Sequence, residues 1–214
     1  MADNIIFISG IGTNVGKSYA TGWLANYFAS TGKKVITQKL IQTGNVGFSE
    51  DIDIHRKIMN MEYNEDDKSH VTAPLIFSYP ASPHLAAAID NKSIDLEVAN
   101  KATMRLAAKY DIVLVEGAGG LMVPITKDYL TIDYVKDQGY PVALVTNGSL
   151  GAINHTLLSF EALKSRNIKL PFVIYNSFFD GDAIIADDNK AFMKNYFNHQ
   201  AADTTFLIMP KLDI

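Results

Sequence analysis

The chain has 214 residues, 48% apolar and 20% charged, with a formal net charge of −4; it is long enough for one domain with a sizeable core, and its acidic balance gives no electrostatic reason to expect nucleic acid or a membrane surface. No apolar run approaches the ~20 residues that cross a bilayer, and the start MADNIIFISG lacks the basic segment of a signal peptide. The absence of cysteine excludes a disulfide framework, a thiolate nucleophile and a zinc–thiolate site, and it fits a reducing cytoplasm.

The first predicted element is a strand over 4–9, NIIFIS, and a helix follows in which Ala20, Leu24, Tyr27 and Phe28 recur at helical spacing. Tyr19, Trp23, Tyr27 and Phe28 are expected in the core. Between strand and helix lies GIGTNVGKS, Gly10 to Ser18. Its Gly-Lys-Ser ending is that of a phosphate-binding loop, yet the usual G-x-x-x-x-G-K-[ST] spacing would put a glycine where Ile11 stands. A dinucleotide fingerprint fits worse, because the third glycine, Gly16, comes one position late and Lys17-Ser18 has no role. Phosphate binding explains every part: glycines let backbone N–H groups approach the oxygens, and the helix start adds partial positive charge. Lys17 would reach the outer phosphates and the Ser18 hydroxyl would ligate Mg²⁺.

KVITQ (34–38) reads as the second strand, after the basic pair Lys33-Lys34, a solvated turn. Lys39 comes just past it, with Thr43 and Gly44 next. Taken alone, Lys39 reads as a surface lysine; at the carboxyl end of a strand in a doubly wound sheet it can stabilise charge on a transferring phosphoryl group. In SEDIDIHRKIM, Ser49 and Asp51 mark a helix start, and Asp51 and Asp53 are each open to a capping or a metal-associated role. DIVLVEG (111–117) predicts a buried strand that delivers Glu116 at its carboxyl end, ahead of a glycine-rich loop, where a carboxylate can hold Mg²⁺ directly or through water. PVALVT (141–146), PFVIYN (171–176) and TFLIMP (205–210) complete six strands, and Ile153, Leu157 and Phe160 mark another helix. The five histidines form no metal constellation and read as surface or packed residues. Short Val/Ile-rich runs alternating with helices predict an α/β fold: one domain over 1–214, with a doubly wound, mostly parallel sheet covered by helices on both faces. Ligands bind beyond the carboxyl ends of such strands.

The motifs GIGTNVGKS, QKLIQTG, SYPASPHLAA, VEGAGGLMVPI and GSLGAINHT resemble those of the dethiobiotin synthetase family over nearly the whole chain. Its phosphate loop has the longer glycine-x5-glycine-lysine spacing, which accounts for Gly10. The resemblance implies a P-loop ligase that forms C–N bonds. With ATP and Mg²⁺ it carboxylates 7,8-diaminononanoate with CO₂ and closes the ring, through a carbamate and a carbamic–phosphoric anhydride, to dethiobiotin, ADP and phosphate. It implies that Thr13, Asn14, Val15, Gly16, Lys17, Ser18 and Tyr19 surround the nucleotide and that Lys17 and Lys39 are catalytic. Thr43 matches a substrate-contacting hydroxyl. Ser18, Asp51 and Glu116 match the metal-associated groups, Asp51 being preferred to Asp53 because it opens the helix directly after Ser-Glu. Gly117, Ala118 and Gly119 would line the nucleotide site, and Asn176, Ser177, Pro210, Lys211 and Leu212 fall where the family contacts the adenine. Leu150, Gly151 and Asn154 would receive the substrate carboxylate from the partner subunit, which implies a homodimer with shared sites.

Departures from the family pattern are Ile11-Gly12, where Thr-Asp is usual, Ser177, where Asp is common, and an end at Ile214 short of the usual one. Two alternatives stay open. A partitioning-type ATPase switch has a signature lysine at the position of Gly12, and amidating ligases of the same superfamily carry a glutaminase domain with a nucleophilic cysteine.

Overall fold

The short Val/Ile-rich runs become the strands of one sheet. In the computed structural model, which describes residues 4–212, β1 (Ile5–Gly10) leads through the glycine loop into α1 (Lys17–Ala29). Then come β2 (Val35–Lys39), the two-residue β3 (Gln42–Thr43), α2 (Glu50–Met59) and the single turn α3 (Glu65–Lys68). Next are β4 (Ile76–Phe77), α4 (Pro83–Ile89), α5 (Leu96–Ala107), β5 (Ile112–Gly120), β6 (Pro124–Thr126), β7 (Tyr129–Leu130) and α6 (Thr131–Gln138). The remaining elements are β8 (Val142–Asn147), α7 (Ala152–Lys164), β9 (Phe172–Asn176), α8 (Ala183–Gln200) and β10 (Thr205–Met209).

The central sheet has the order β10-β9-β8-β1-β5-β2, and every neighbouring pair is parallel. This is the predicted α/β architecture. Successive residues of a strand point to opposite faces, so Phe7, Val113 and Val115 enter the larger core while Ile8 and Leu114 enter the smaller one. Side chains of α4, α5, α6, α7 and α8 cover the first face, and Ala20, Leu24 and Ala25 of α1 cover the second. β1 lies between β8 and β5, with β2 beyond β5, so the chain order reverses around β1. That reversal opens a crevice at the strands' carboxyl ends.

Two local expectations are corrected. The strand predicted to stop at Gly117 continues to Gly120, because the glycines keep pairing with β1, Gly120 opposite Gly10 after a register shift. Glu116 therefore lies inside β5 and not at its end. The α1 aromatics are not all core: Tyr19 and Tyr27 are exposed, Trp23 is half-buried and stacks on Tyr27, and Phe28 packs edge-on against Phe172. Small residues make the inner stripe of α1, and the rings at i, i+4, i+8 form the outer one.

The Ser49 side chain caps α2, accepting from the Ile52 N–H at 3.2 Å. Gly22 lets α2 lie close on α1, since a Cβ there would stand 2.9 Å from Ile58. Asp51 and His55, one turn apart on α2, face Lys39 of β2 and Glu116 of β5 respectively.

Candidate active site

A cavity of about 680 Å³ opens at the carboxyl ends of the strands, within the size range of small-molecule sites. Its middle holds the charged groups. Lys39 ends β2 directly opposite Glu116 of β5, with Nζ 2.7 Å from Glu116 Oε1, 2.6 Å from Asp51 Oδ2 and 3.2 Å from the Gly117 carbonyl. Ser18, in the first turn of α1, donates to Asp51 Oδ1 at 2.5 Å and lies 3.1 Å from Glu116 Oε1. Ser18, Asp51 and Glu116 thus converge from three different elements. Asp53 does not join them; it pairs with Lys57 on the surface at 2.8 Å.

Electrostatics follow from this packing. Burial opposes the charge on Glu116, but the Lys39 ammonium and a hydrogen bond from His55 outweigh it and hold the carboxyl well below the usual carboxylate range. Burial likewise disfavours a charged Lys39, and the Glu116 and Asp51 carboxylates reverse this and hold it above an ordinary lysine. Lys17 lacks such partners nearby. Burial, then the charge of Lys39, pulls it down to about 8, and its Nζ donates to the Gly12 carbonyl at 3.0 Å.

Among the described residues no group of three or more His, Asp or Glu side chains forms a cage for a metal. The set present is two carboxylates and a hydroxyl, all hard oxygen donors. Mg²⁺ commonly takes one or two carboxylates and completes its shell with phosphate and water, so these residues fit that ion.

Gly16 caps α1 in the left-handed conformation, φ +86°, and a Cβ there would meet Asn176 Nδ2 at 2.2 Å. Asn176 is doubly engaged at the end of β9: Nδ2 donates to the Val15 carbonyl at 3.1 Å and Oδ1 accepts from the Phe178 N–H at 3.0 Å. It joins the glycine loop to the single 3₁₀ turn Ser177–Phe179.

Of the residues singled out from the sequence, Thr13, Asn14, Gly16, Lys17, Ser18, Tyr19, Lys39, Thr43, Asp51, Glu116, Ala118, Gly119, Asn176, Pro210 and Leu212 line the cavity. Ser177 and Lys211 are not on its wall, nor are Val15 and Gly117. Val15 is buried under the loop, and Gly117 is a packing glycine whose Cβ would meet Phe7 at 2.6 Å. Leu150, Gly151 and Asn154 lie at the exposed start of α7 and do not line this cavity. The wall also contains residues that sequence reasoning left without a role: Gln42, Pro80 to Pro83, Val123, Phe178, Phe179 and Met209. Pro80 to Pro83 belong to SYPASPHLAA, a motif noticed but given no task. His55, read as a surface or packed residue, is fully buried and hydrogen-bonded to Glu116.

A family model described as an AAA domain matches residues 4–201. The chain is 44% identical over 210 residues to the ATP-dependent dethiobiotin synthetase BioD 2 of Pasteurella multocida, covering 98% of this chain and 99% of that one. It is 48% identical to the ATP-dependent dethiobiotin synthetase BioD 2 of Haemophilus influenzae, over 87% of this chain and 98% of the relative. With the ATP-dependent dethiobiotin synthetase BioD of Chlorobaculum tepidum the identity is 47%, over 89% of this chain and 80% of that one. Among solved structures, a plasmid partition protein from Borrelia burgdorferi bound to AMPPNP is similar in fold, with a TM-score of 0.56 and 17% identity over 98% of this chain and 87% of that one. FlhF complexed with GMPPNP and Mg²⁺ gives 0.51 at 13% identity, over 100% and 68%. By sequence over nearly its full length, this chain belongs to the ATP-dependent dethiobiotin synthetase family.

Proposed function

We propose that this protein is a ligase that makes dethiobiotin in an ATP- and Mg²⁺-dependent reaction, a step of biotin formation, from 7,8-diaminononanoate and CO₂. The observation that carries this reading is the meeting of Lys17, Ser18, Lys39, Asp51 and Glu116 in one cavity, in a chain 44–48% identical to dethiobiotin synthetases.

In this reading one amine of the substrate adds to CO₂, loses a proton and becomes a carbamate. A carbamate oxygen attacks the γ-phosphorus of ATP, the bond to ADP breaks, and a carbamic–phosphoric anhydride forms. The second amine attacks the activated carbonyl, phosphate leaves, a proton is lost and the cyclic urea closes. The protein forms no bond to substrate, so its contribution is positioning and charge. Lys17 and Lys39 hold the γ-phosphoryl oxygens as charge develops on them. Thr43 orients the carbamate. Ser18, Asp51 and Glu116 are the groups that would hold Mg²⁺, whose contribution is to neutralise phosphate charge. Tyr19, Asn176, Phe178, Pro210 and Leu212, all on the cavity wall, would hold the nucleobase, since rings and apolar edges pack on a base face. Leu150, Gly151 and Asn154 complete the site of a second copy in a homodimer, where the open amides of the α7 start receive the substrate carboxylate. The whole chain acts as one domain. No helix among the described residues is long and apolar enough to cross a membrane, and the lack of cysteine suits the cytoplasm.

The test is ATP consumption with and without diaminononanoate and bicarbonate, with dethiobiotin identified by mass. ATP hydrolysis that is indifferent to the diamine would instead favour a nucleotide switch.

A further inference from the structure

His55 is fully buried, and the reaction as written makes no use of it. Its ring stands between two polar partners: Nδ1 is 3.0 Å from Thr37 Oγ1 and Nε2 is 2.7 Å from Glu116 Oε2. Hydrogen-bond capacity decides which nitrogen carries the proton. Arg56 Nη1 donates to Thr37 Oγ1 at 2.8 Å, and a guanidinium has donors only. Glu116, ionised, only accepts, so Nε2 carries a hydrogen and donates it, while the Thr37 hydroxyl, which can both give and accept, pairs with Nδ1.

The far end of this chain of bonds is anchored. Arg56 is gripped by Asp67 through Nε–Oδ2 at 2.9 Å and Nη2–Oδ1 at 2.8 Å, and Asp67 also accepts from Thr72 Oγ1 at 2.7 Å. At the other end the two oxygens of Glu116 are used differently. Oε2 takes His55 and Thr21, whereas Oε1 takes Lys39 and Ser18, both of which line the cavity.

We propose that His55 is a positioning residue for Glu116. Held by Thr37, it pins Oε2 so that only Oε1 is presented to Lys39, Ser18 and the Mg²⁺ of the nucleotide complex. This rests on the reading of the cavity as an ATP·Mg²⁺ site. Partners that orient a metal-associated carboxylate are worth about 10–100-fold in metal affinity or activity.

Binding of Mn²⁺ in the presence of ADP, read from the electron paramagnetic resonance of free Mn²⁺, tests the assignment without turnover. His55→Leu removes both ring nitrogens at similar volume, and His55→Gln keeps an N–H donor near the Nε2 position. His55→Leu is expected to weaken Mn²⁺ binding about 10–100-fold and to raise the Mg²⁺ needed for half-maximal activity in proportion, with the KM for the diamine within about twofold. His55→Gln is expected to recover most of that loss. Unchanged Mn²⁺ affinity in His55→Leu overturns the proposal; equal losses in the two variants overturn it as well, since packing and not the donated N–H would then be at stake. Should His55→Leu fail to fold, Thr37→Val, which removes the hydroxyl that orients the ring, is judged by the same Mn²⁺ criterion. Wild-type protein that binds Mn²⁺ with ADP yet forms no dethiobiotin would remove the proposed reaction and leave the role of His55 standing. Wild-type protein that binds no Mn²⁺ would overturn both.

Discussion

Lys39 and Glu116 face one another in register across β2 and β5, with 2.7 Å between Nζ and Oε1. Asp51 closes on the same ammonium from α2 at 2.6 Å, so one buried cation balances two carboxylates. Lys39→Gln removes that balance and leaves both acids facing each other without a cation. Loss of one partner from a buried pair costs about 3–5 kcal/mol, so the melting temperature should fall, and Mg²⁺ should raise it more in the variant than in the wild type. On the proposed role of Lys39 toward the transferring phosphoryl, its loss should lower kcat by about 100-fold or more, with ATP affinity changed far less. A variant with normal kcat and weakened ATP binding would make Lys39 a binding contact only.

Lys17 predicts a proton linked to nucleotide binding. In the free protein burial holds it down to about 8, and phosphate oxygens beside it favour the charged form. Below pH 8 it is charged both free and bound, and this group adds no pH dependence. Above pH 8 the free lysine is neutral, so binding must take up a proton and affinity falls as pH rises. Calorimetry of ADP binding at pH 9, in two buffers of different ionisation enthalpy, should reveal the uptake. Lys17→Arg, always charged, should abolish it; equal uptake in that variant would assign the proton to another group.

At Gly16 both backbone and space argue against a side chain. The residue has φ +86°, and an added Cβ would stand 2.2 Å from Asn176 Nδ2. Gly16→Ala should cost about 1–3 kcal/mol in strain and weaken ADP binding. Asn176→Ala removes the obstacle but not the strained backbone. The double variant should therefore be less destabilised than the sum of the singles. Strict additivity would mean that the two residues do not press on each other.

Leu150 is 91% exposed at the start of α7, so Leu150→Glu should leave the fold intact. If that helix start serves the carboxylate of a substrate held by another copy, the added charge should raise the KM for the diamine at least about tenfold, in keeping with the ~1–3 kcal/mol of one lost contact, and spare the KM for ATP. Mixing it with Lys39→Gln should restore part of the activity, because one composite site in the mixed dimer has both halves intact. An active monomer in sedimentation would rule out shared sites.

The strands were legible as short runs rich in β-branched residues, a signal that does not depend on distant partners; it is clearest for β1, β8 and β9, which are buried on both faces, while the edge strand β10 is half-exposed. Lys39 was legible only through its place in the fold, since a lone lysine after a strand reads as a surface residue. The choice between Asp51 and Asp53 had no firm local answer; it is made by the rotation of α2, which aims position 51 inward and leaves 53 beside Lys57. The role of His55 is not legible in the sequence, because isolated histidines carry no spacing signature. Its position four residues after Asp51, and so on the same helix face, was the signal available. The wall residues Pro80 to Pro83, Phe178 and Phe179 come from loops and turns, where periodicity has nothing to say.

Asn176 also has a consequence for inhibitor chemistry. One amide holds both the Val15 carbonyl of the glycine loop and the N–H that begins the 3₁₀ turn. The loop and the turn are thus tied by a single bracket. A compound wedged beside Phe178 that pried this amide away would loosen the loop at Gly16 without touching Lys17 or Lys39. Such a compound would need no negative charge, unlike one that pairs with those two lysines.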